Sequence, residues 1–172
     1  MSGATEYRGV LTLDPSIANL GYAVGEPVSQ DLNTAGLIRT YSKWDMERRV
    51  EAIRREIEQL MVDFKPSVVI WERPKKFRYS GRQTAGIQTF FHMGIGTGAM
   101  LAGVTGGIED DEEQRVESVT PQKWKGNDTK QETKMRVNAL GVEGLPDDHN
   151  VYDAVGIFLW YARERDMLRG RD

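Results

Sequence analysis

Three acidic residues stand where they can act together. Asp14 closes the alternating stretch Gly9-Val-Leu-Thr-Leu, Glu72 directly follows the apolar run Val68-Val-Ile-Trp71, and Asp153 falls in the first turn of a late helical pattern. Each has an ordinary reading alone: Asp before Pro15 is a turn residue, and an acid near a helix N-terminus suits the helix dipole. Glu72 is the most telling, because a carboxylate set against a core is costly unless a cation meets it. Carboxylates gathered at the edge of a sheet are what a hard cation such as Mg²⁺ needs: oxygen ligands, with positions left open for phosphate and water. The chain has no cysteine, which excludes disulfides, thiolate metal sites and cysteine nucleophiles.

A second set of residues suits contact with an anion. Between Arg73 and Ile108 the chain carries Arg73, Lys75, Lys76, Arg78 and Arg82 and no acid, with Phe77 and Tyr79 among the cations. Basic side chains with aromatics between them fit a nucleic-acid strand. The acidic run Glu109 to Glu113 that follows reads as a solvated loop tip. The net charge of −3 therefore hides an uneven distribution.

The elements that must position these groups follow from periodicity. Gly9 to Asp14, Gly21 to Gly25 and Thr34 to Thr40 read as three short strands in an antiparallel meander. Val50, Ile53, Ile57, Leu60, Met61 and Phe64 repeat at helical spacing, with Ser42 or Asp45 as the cap and Lys65-Pro66 as the stop. Val68 to Trp71 is a buried central strand, and Arg115 to Thr120 a fifth strand. Gln83 to Val104, rich in Gly and Ala, predicts a helix or helix pair; Lys134 to Leu140 and Val151 to Leu168 predict two more, the last opened by Pro146-Asp147-Asp148. The fold class is α/β, a mixed five-stranded sheet with helices on both faces. All 172 residues form one domain with one site per chain. No apolar run is long enough for a membrane span and the N-terminus lacks a signal-peptide pattern, so a cytoplasmic protein is expected.

The arrangement resembles the RuvC-type Holliday-junction resolvases of the RNase H-like nuclease superfamily. Leu11-Thr-Leu-Asp14-Pro-Ser-Ile-Ala-Asn-Leu-Gly21-Tyr-Ala-Val is similar to that family's opening strand, first catalytic Asp and second-strand Gly. Val68-Val-Ile-Trp-Glu72 is similar to the strand that delivers the catalytic Glu, and Asn150-Val-Tyr-Asp153-Ala-Val-Gly-Ile to the final helix. The resemblance implies a crossover junction endodeoxyribonuclease that resolves four-way DNA junctions, leaving 5′-phosphate and 3′-hydroxyl ends. It implies two Mg²⁺ ions (or Mn²⁺) about 3.5–4 Å apart, with Asp14 bridging them, Glu72 on one and Asp153 on the other. It also implies DNA contacts from the segment Arg73 to Arg82, with Lys130 or Lys134 at the scissile phosphate.

Two residues depart from the family pattern. Ser16 replaces the usual Gly after Asp14-Pro15, and Asn150 stands where the family has a fourth acid or His, just after Asp147, Asp148 and His149. Helix geometry does not choose between Asn150 and His149, which flank the Asp153 face from opposite sides; we favour His149 at or beside the metal, since Asn150 cannot act as a base. A four-way junction is two-fold and needs two cuts, so a homodimer is expected, with Phe90, Phe91, Met93 and Met100 as its interface. The nearest alternatives are an RNase H-like nuclease acting on other branched DNA or hybrid duplexes, and a non-catalytic nucleic-acid-binding module. A nucleotide-clasping ATPase would need two such halves, and this chain has room for one.

Overall fold

A computed structural model describes residues 9–73, 84–108, 114–139, 141–142 and 144–169, with the side chains of 84–90 and 167–169 left undescribed. The elements run β1 (Val10–Asp14), β2 (Asn19–Glu26), β3 (Asp31–Arg39), α1 (Met46–Phe64), β4 (Val68–Glu72), α2 (Thr84–Gly106), β5 (Arg115–Val119), α3 (Pro121–Trp124), α4 (Lys130–Asn138) and α5 (His149–Arg169). The sheet order is β3-β2-β1-β4-β5. The first three strands form the expected antiparallel meander, and β4 and β5 add in parallel beside β1. This is the mixed five-stranded sheet predicted from sequence.

The period of two in β1 and β4 divides the core and aims the acids. Leu11, Leu13 and Val69 pack with Ile53, Ile57, Met61, Met100 and Val104 of α1 and α2, while Val10, Val68 and Ile70 pack with Val155, Ile157 and Phe158 of α5. Residues two apart on a strand share a face. Asp14 therefore follows Val10 and Thr12 toward α5, and Glu72 follows Val68 and Ile70. Leu13 pairs with Trp71 in parallel register, so the next residues, Asp14 and Glu72, stand side by side at the ends of neighbouring strands.

Local chemistry sets the helix boundaries. Asp45 caps α1, accepting a 2.7 Å bond from the Arg48 amide, and Lys65 ends it in the left-handed region at φ 43°. Asp148 opens α5: its side chain accepts from the Asn150 amide at 2.9 Å and its carbonyl from those of Val151 and Tyr152. The expected helix or helix pair after Gln83 is one helix, α2. The helix expected from Lys134 begins four residues earlier, because Thr129 and Glu132 form a reciprocal capping box ahead of it. The one-turn α3 was not anticipated from sequence.

One close approach fixes α5 against the sheet. A Cβ on Gly21 would lie 2.0 Å from the Asn150 carbonyl oxygen, so only glycine lets β2 pass this close to the start of α5.

Candidate active site

Asp14, Glu72 and Asp153 come together at one sheet edge, delivered by β1, β4 and α5. The Thr12 hydroxyl donates to the Ala154 carbonyl at 2.8 Å, tying β1 two residues before Asp14 to α5 one residue after Asp153. Asp14 is partly buried, and its carboxyl is held well above the usual aspartate range. Burial is the main cause, followed by the negative charges of Glu72 and Asp153; Lys125 and Lys130 pull the other way and do not prevail. The cluster thus holds more negative charge than its lysines neutralise.

Lys125 is the cation set among the acids. Its ammonium donates to Asp153 Oδ2 at 2.9 Å, lies 4.0 Å from Glu72 Oε2, and sits 4.6 Å from the centre of the Trp124 ring. The Trp124 indole N–H donates to Glu72 Oε2 at 2.6 Å. Gly156 makes room for that indole, since a Cβ there would come within 2.5 Å of it. Glu72 and Asp153 are both mostly buried, at 15% and 8% side-chain exposure, and α3 supplies the donors that hold them.

The neighbouring site residues take different places. Asn150 is buried, and its amide donates to the Asn19 carbonyl. Asn19 in turn donates to Asp148 at 3.3 Å, so Asn19, Asp148 and Asn150 stitch β2 to the opening of α5. His149 is half-exposed, with Nδ1 3.7 Å from Asp148. It lines a groove with Lys130, Lys134 and Tyr152. Lys134 pairs with Asp147 at 2.5 Å, which raises the lysine pKa and lowers that of the aspartate. Lys130 is exposed at the start of α4. Ser16, in place of a glycine, accepts from the amides of Ala18 and Asn19 and so closes the β1–β2 turn with its own side chain. Arg73 is exposed, its amide bound to the Val119 carbonyl at 2.7 Å. Lys75, Lys76, Phe77, Arg78, Tyr79 and Arg82 lie outside the described residues.

Sequence reading missed Lys125 and Trp124. The signal was present: Thr120-Pro121 directly after β5 is a helix start with Pro at its first position, at the same sheet edge as Glu72. A helix starting there carries Trp124 and Lys125 back across that edge.

Among the described residues, no group of three or more acidic or histidine side chains is already drawn together as a metal-gripping set. Lys125 lies between two of the acids. The donors nonetheless fit a hard cation by type and charge: all three are carboxylates, and their mutual repulsion at Asp14 is what an added cation relieves.

No family model matches the chain. A curated relative, the crossover junction endodeoxyribonuclease RuvC of Chlorobium chlorochromatii, is 29% identical over 167 residues, covering 94% of this chain and 80% of the relative. The RuvC of Rubrobacter xylanophilus is 25% identical over 170 residues, covering 97% and 92%. Among solved structures, Thermus thermophilus RuvC in complex with a Holliday junction substrate superposes with a TM-score of 0.73 at 21% identity, over 92% of this chain and 96% of that one. The fold is that of RuvC. The yeast mitochondrial Holliday junction resolvase Ydc2 also shares it, with a TM-score of 0.63 at 14% identity over 94% and 82% of the two chains. The resemblance to RuvC-type resolvases read from the sequence is thus borne out in both relatives and fold. Among the described residues no helix is long and apolar enough to cross a membrane.

Proposed function

We propose that this chain is a structure-selective endonuclease that resolves four-way DNA junctions by phosphodiester hydrolysis, leaving 5′-phosphate and 3′-hydroxyl ends. The observation that carries the reading is the convergence of Asp14, Glu72 and Asp153 on the RuvC fold, with Asp14 pushed toward its protonated form by burial first and by the other two acids after it. Asp14, Glu72 and Asp153 would hold two Mg²⁺ ions, or Mn²⁺ in their place. When bound, the metal lowers the pKa of water and stabilises the entering and leaving oxygens. The chain's own part is to orient: Trp124 fixes Glu72, Lys125 fixes Asp153, and Thr12 holds α5 on β1. His149 completes the site, facing the substrate groove, while Asn150 braces the opening of α5 through Asn19. Lys130, Lys134 and Arg73 contact phosphates, and Lys75, Lys76, Phe77, Arg78, Tyr79 and Arg82 touch the DNA near the cut.

The working form is a homodimer with one site per chain. The outer face of α2 supports this, with Phe91 63% exposed and Gly94, Gly98 and Ala102 exposed along the same helix. Met100 does not belong to that face; it is fully buried, in the core cluster that α1 and α2 share with the sheet. Met93 is half-buried.

The direct test offers the purified protein matched four-way junction, linear duplex and RNA–DNA hybrid, with and without Mg²⁺. Metal-dependent cutting of the junction at opposed strands supports the reading. Preference for hybrid or linear duplex replaces it with a different nuclease.

A further inference from the structure

We infer that the connection from β3 to α1 is a second DNA-contacting surface that grips the phosphate backbone of the junction arm leading away from the cut, an inference that rests on the proposed function. The connection begins at Thr40 and ends on the Asp45 cap of α1. Tyr41 is 54% exposed, and its ring meets that of Trp44 edge-on at 4.9 Å between centroids. Arg48 stacks over Trp44 at 4.4 Å, and the Lys43 ammonium lies 5.8 Å from the centre of Tyr41. Lys43 and Arg48 are both exposed, as is Arg39 at the end of β3. Two cations are thus held against aromatic rings, which limits their motion and lowers the entropy lost on meeting a phosphate.

This surface is tied to the candidate active site. The Arg49 guanidinium donates to the Thr40 hydroxyl at 2.9 Å and to the Ile17 carbonyl at 3.1 Å, and the Thr40 amide donates to Ala18 at 2.9 Å. Ile17 and Ala18 belong to the turn that starts at Asp14. β3 ends at Arg39 opposite Asn19, on the same sheet edge as the acids and two strands from β1. Two strand spacings are about 10 Å, or about three base-pair rises, so the end of β3 at Arg39 lies that far from β1, and Lys43 and Arg48 follow just beyond it in the chain. The acids do not cancel the patch: exposed Asp45 and Glu47 face three exposed cations, Arg39, Lys43 and Arg48, with partly buried Arg49 beside them. A contact rigidly linked to the Asp14 turn sets where along the arm the cut falls.

The test measures binding of a four-way junction by Asp14→Asn protein, which is expected not to cut, across a salt series. It compares that protein with the same chain carrying Lys43→Gln and Arg48→Gln, which remove charge while keeping side-chain length. The expected result is a log–log salt slope shallower by about two, affinity at 0.15 M salt weaker by roughly tenfold, and loss of backbone protection about three to five base pairs from the cut in a hydroxyl-radical footprint. An unchanged slope and footprint, with junction binding otherwise intact, overturns this inference and leaves the proposed function standing. Failure of the parent protein to bind any junction overturns both.

Discussion

The Thr12 hydroxyl donates a 2.8 Å hydrogen bond to the Ala154 carbonyl, bridging 142 positions of sequence. It joins the residue two before Asp14 to the residue after Asp153, so one buried contact ties together the elements that carry two of the site acids. Thr12 is fully buried, and its hydroxyl also reaches the Ala23 carbonyl at 3.3 Å. Thr12→Val keeps the shape and removes the donor. We expect a loss of about 1 kcal/mol in stability and a fall in cleavage of roughly tenfold or more, since misplacing a reacting group costs rate steeply. Denaturant unfolding and single-turnover cleavage check the two effects separately.

Asp14 makes a pH prediction. Its pKa in the fold is raised above the unfolded value of about 4, so the folded state binds the proton more tightly than the unfolded state. Stability is then lost as pH rises from about 4 through the raised folded pKa, and stays low above it. Without divalent metal, Asp14→Asn should melt higher than the unsubstituted protein at pH 7 and about equally near pH 3. Added Mg²⁺ should narrow the gap at pH 7. A melting curve that is lower for the variant at pH 7 removes the electrostatic account of the cluster.

Lys125→Met removes the cation that Asp153 and Glu72 share. Both acids are mostly buried, so the loss should be on the order of 3 kcal/mol in metal-free buffer at pH 7. Mg²⁺ should restore part of that loss. No change in unfolding midpoint would show that the ammonium is not what holds the acids.

His149 and Asn150 separate by what each loss changes. Asn150 is buried and bonded to Asn19, whereas His149 is half-exposed above the groove. His149→Ala should lower cleavage while leaving the melting temperature unchanged, because its half-exposed ring lines the groove and carries no buried contact. Asn150→Ala should lower the melting temperature instead. An inactive but stable Asn150→Ala enzyme beside an unaffected His149→Ala enzyme reverses the assignment.

Phe91→Glu should convert a dimer into a monomer, because a charge at the centre of an apolar contact is costly to bury. Sedimentation velocity at working concentration reads this directly, and a parent protein that sediments as a monomer removes the dimer.

Much of the site's framework was legible because strand periodicity is strict. Asp14 and Glu72 follow runs in which alternate residues face α5, so their shared edge was readable from the pattern. Asp153 was harder: residues 151–159 are buried all round, so α5 shows little amphipathic contrast, and its resemblance to a known final helix placed it instead. Lys125 escaped notice because a four-residue helix leaves no periodic trace. Nor could spacing show that Asn150 spends its amide on Asn19, since that contact spans 131 positions.

The most direct measurement of the central claim is cleavage of a four-way junction in Mg²⁺ by the parent protein and by Asp14→Asn, Glu72→Gln and Asp153→Asn, with junction binding measured in parallel. The account predicts metal-dependent cutting by the parent, a loss of at least about a thousandfold in each variant, and junction affinity kept within a few-fold. Substantial Mg²⁺-dependent cutting by any one of the three would contradict the shared carboxylate site.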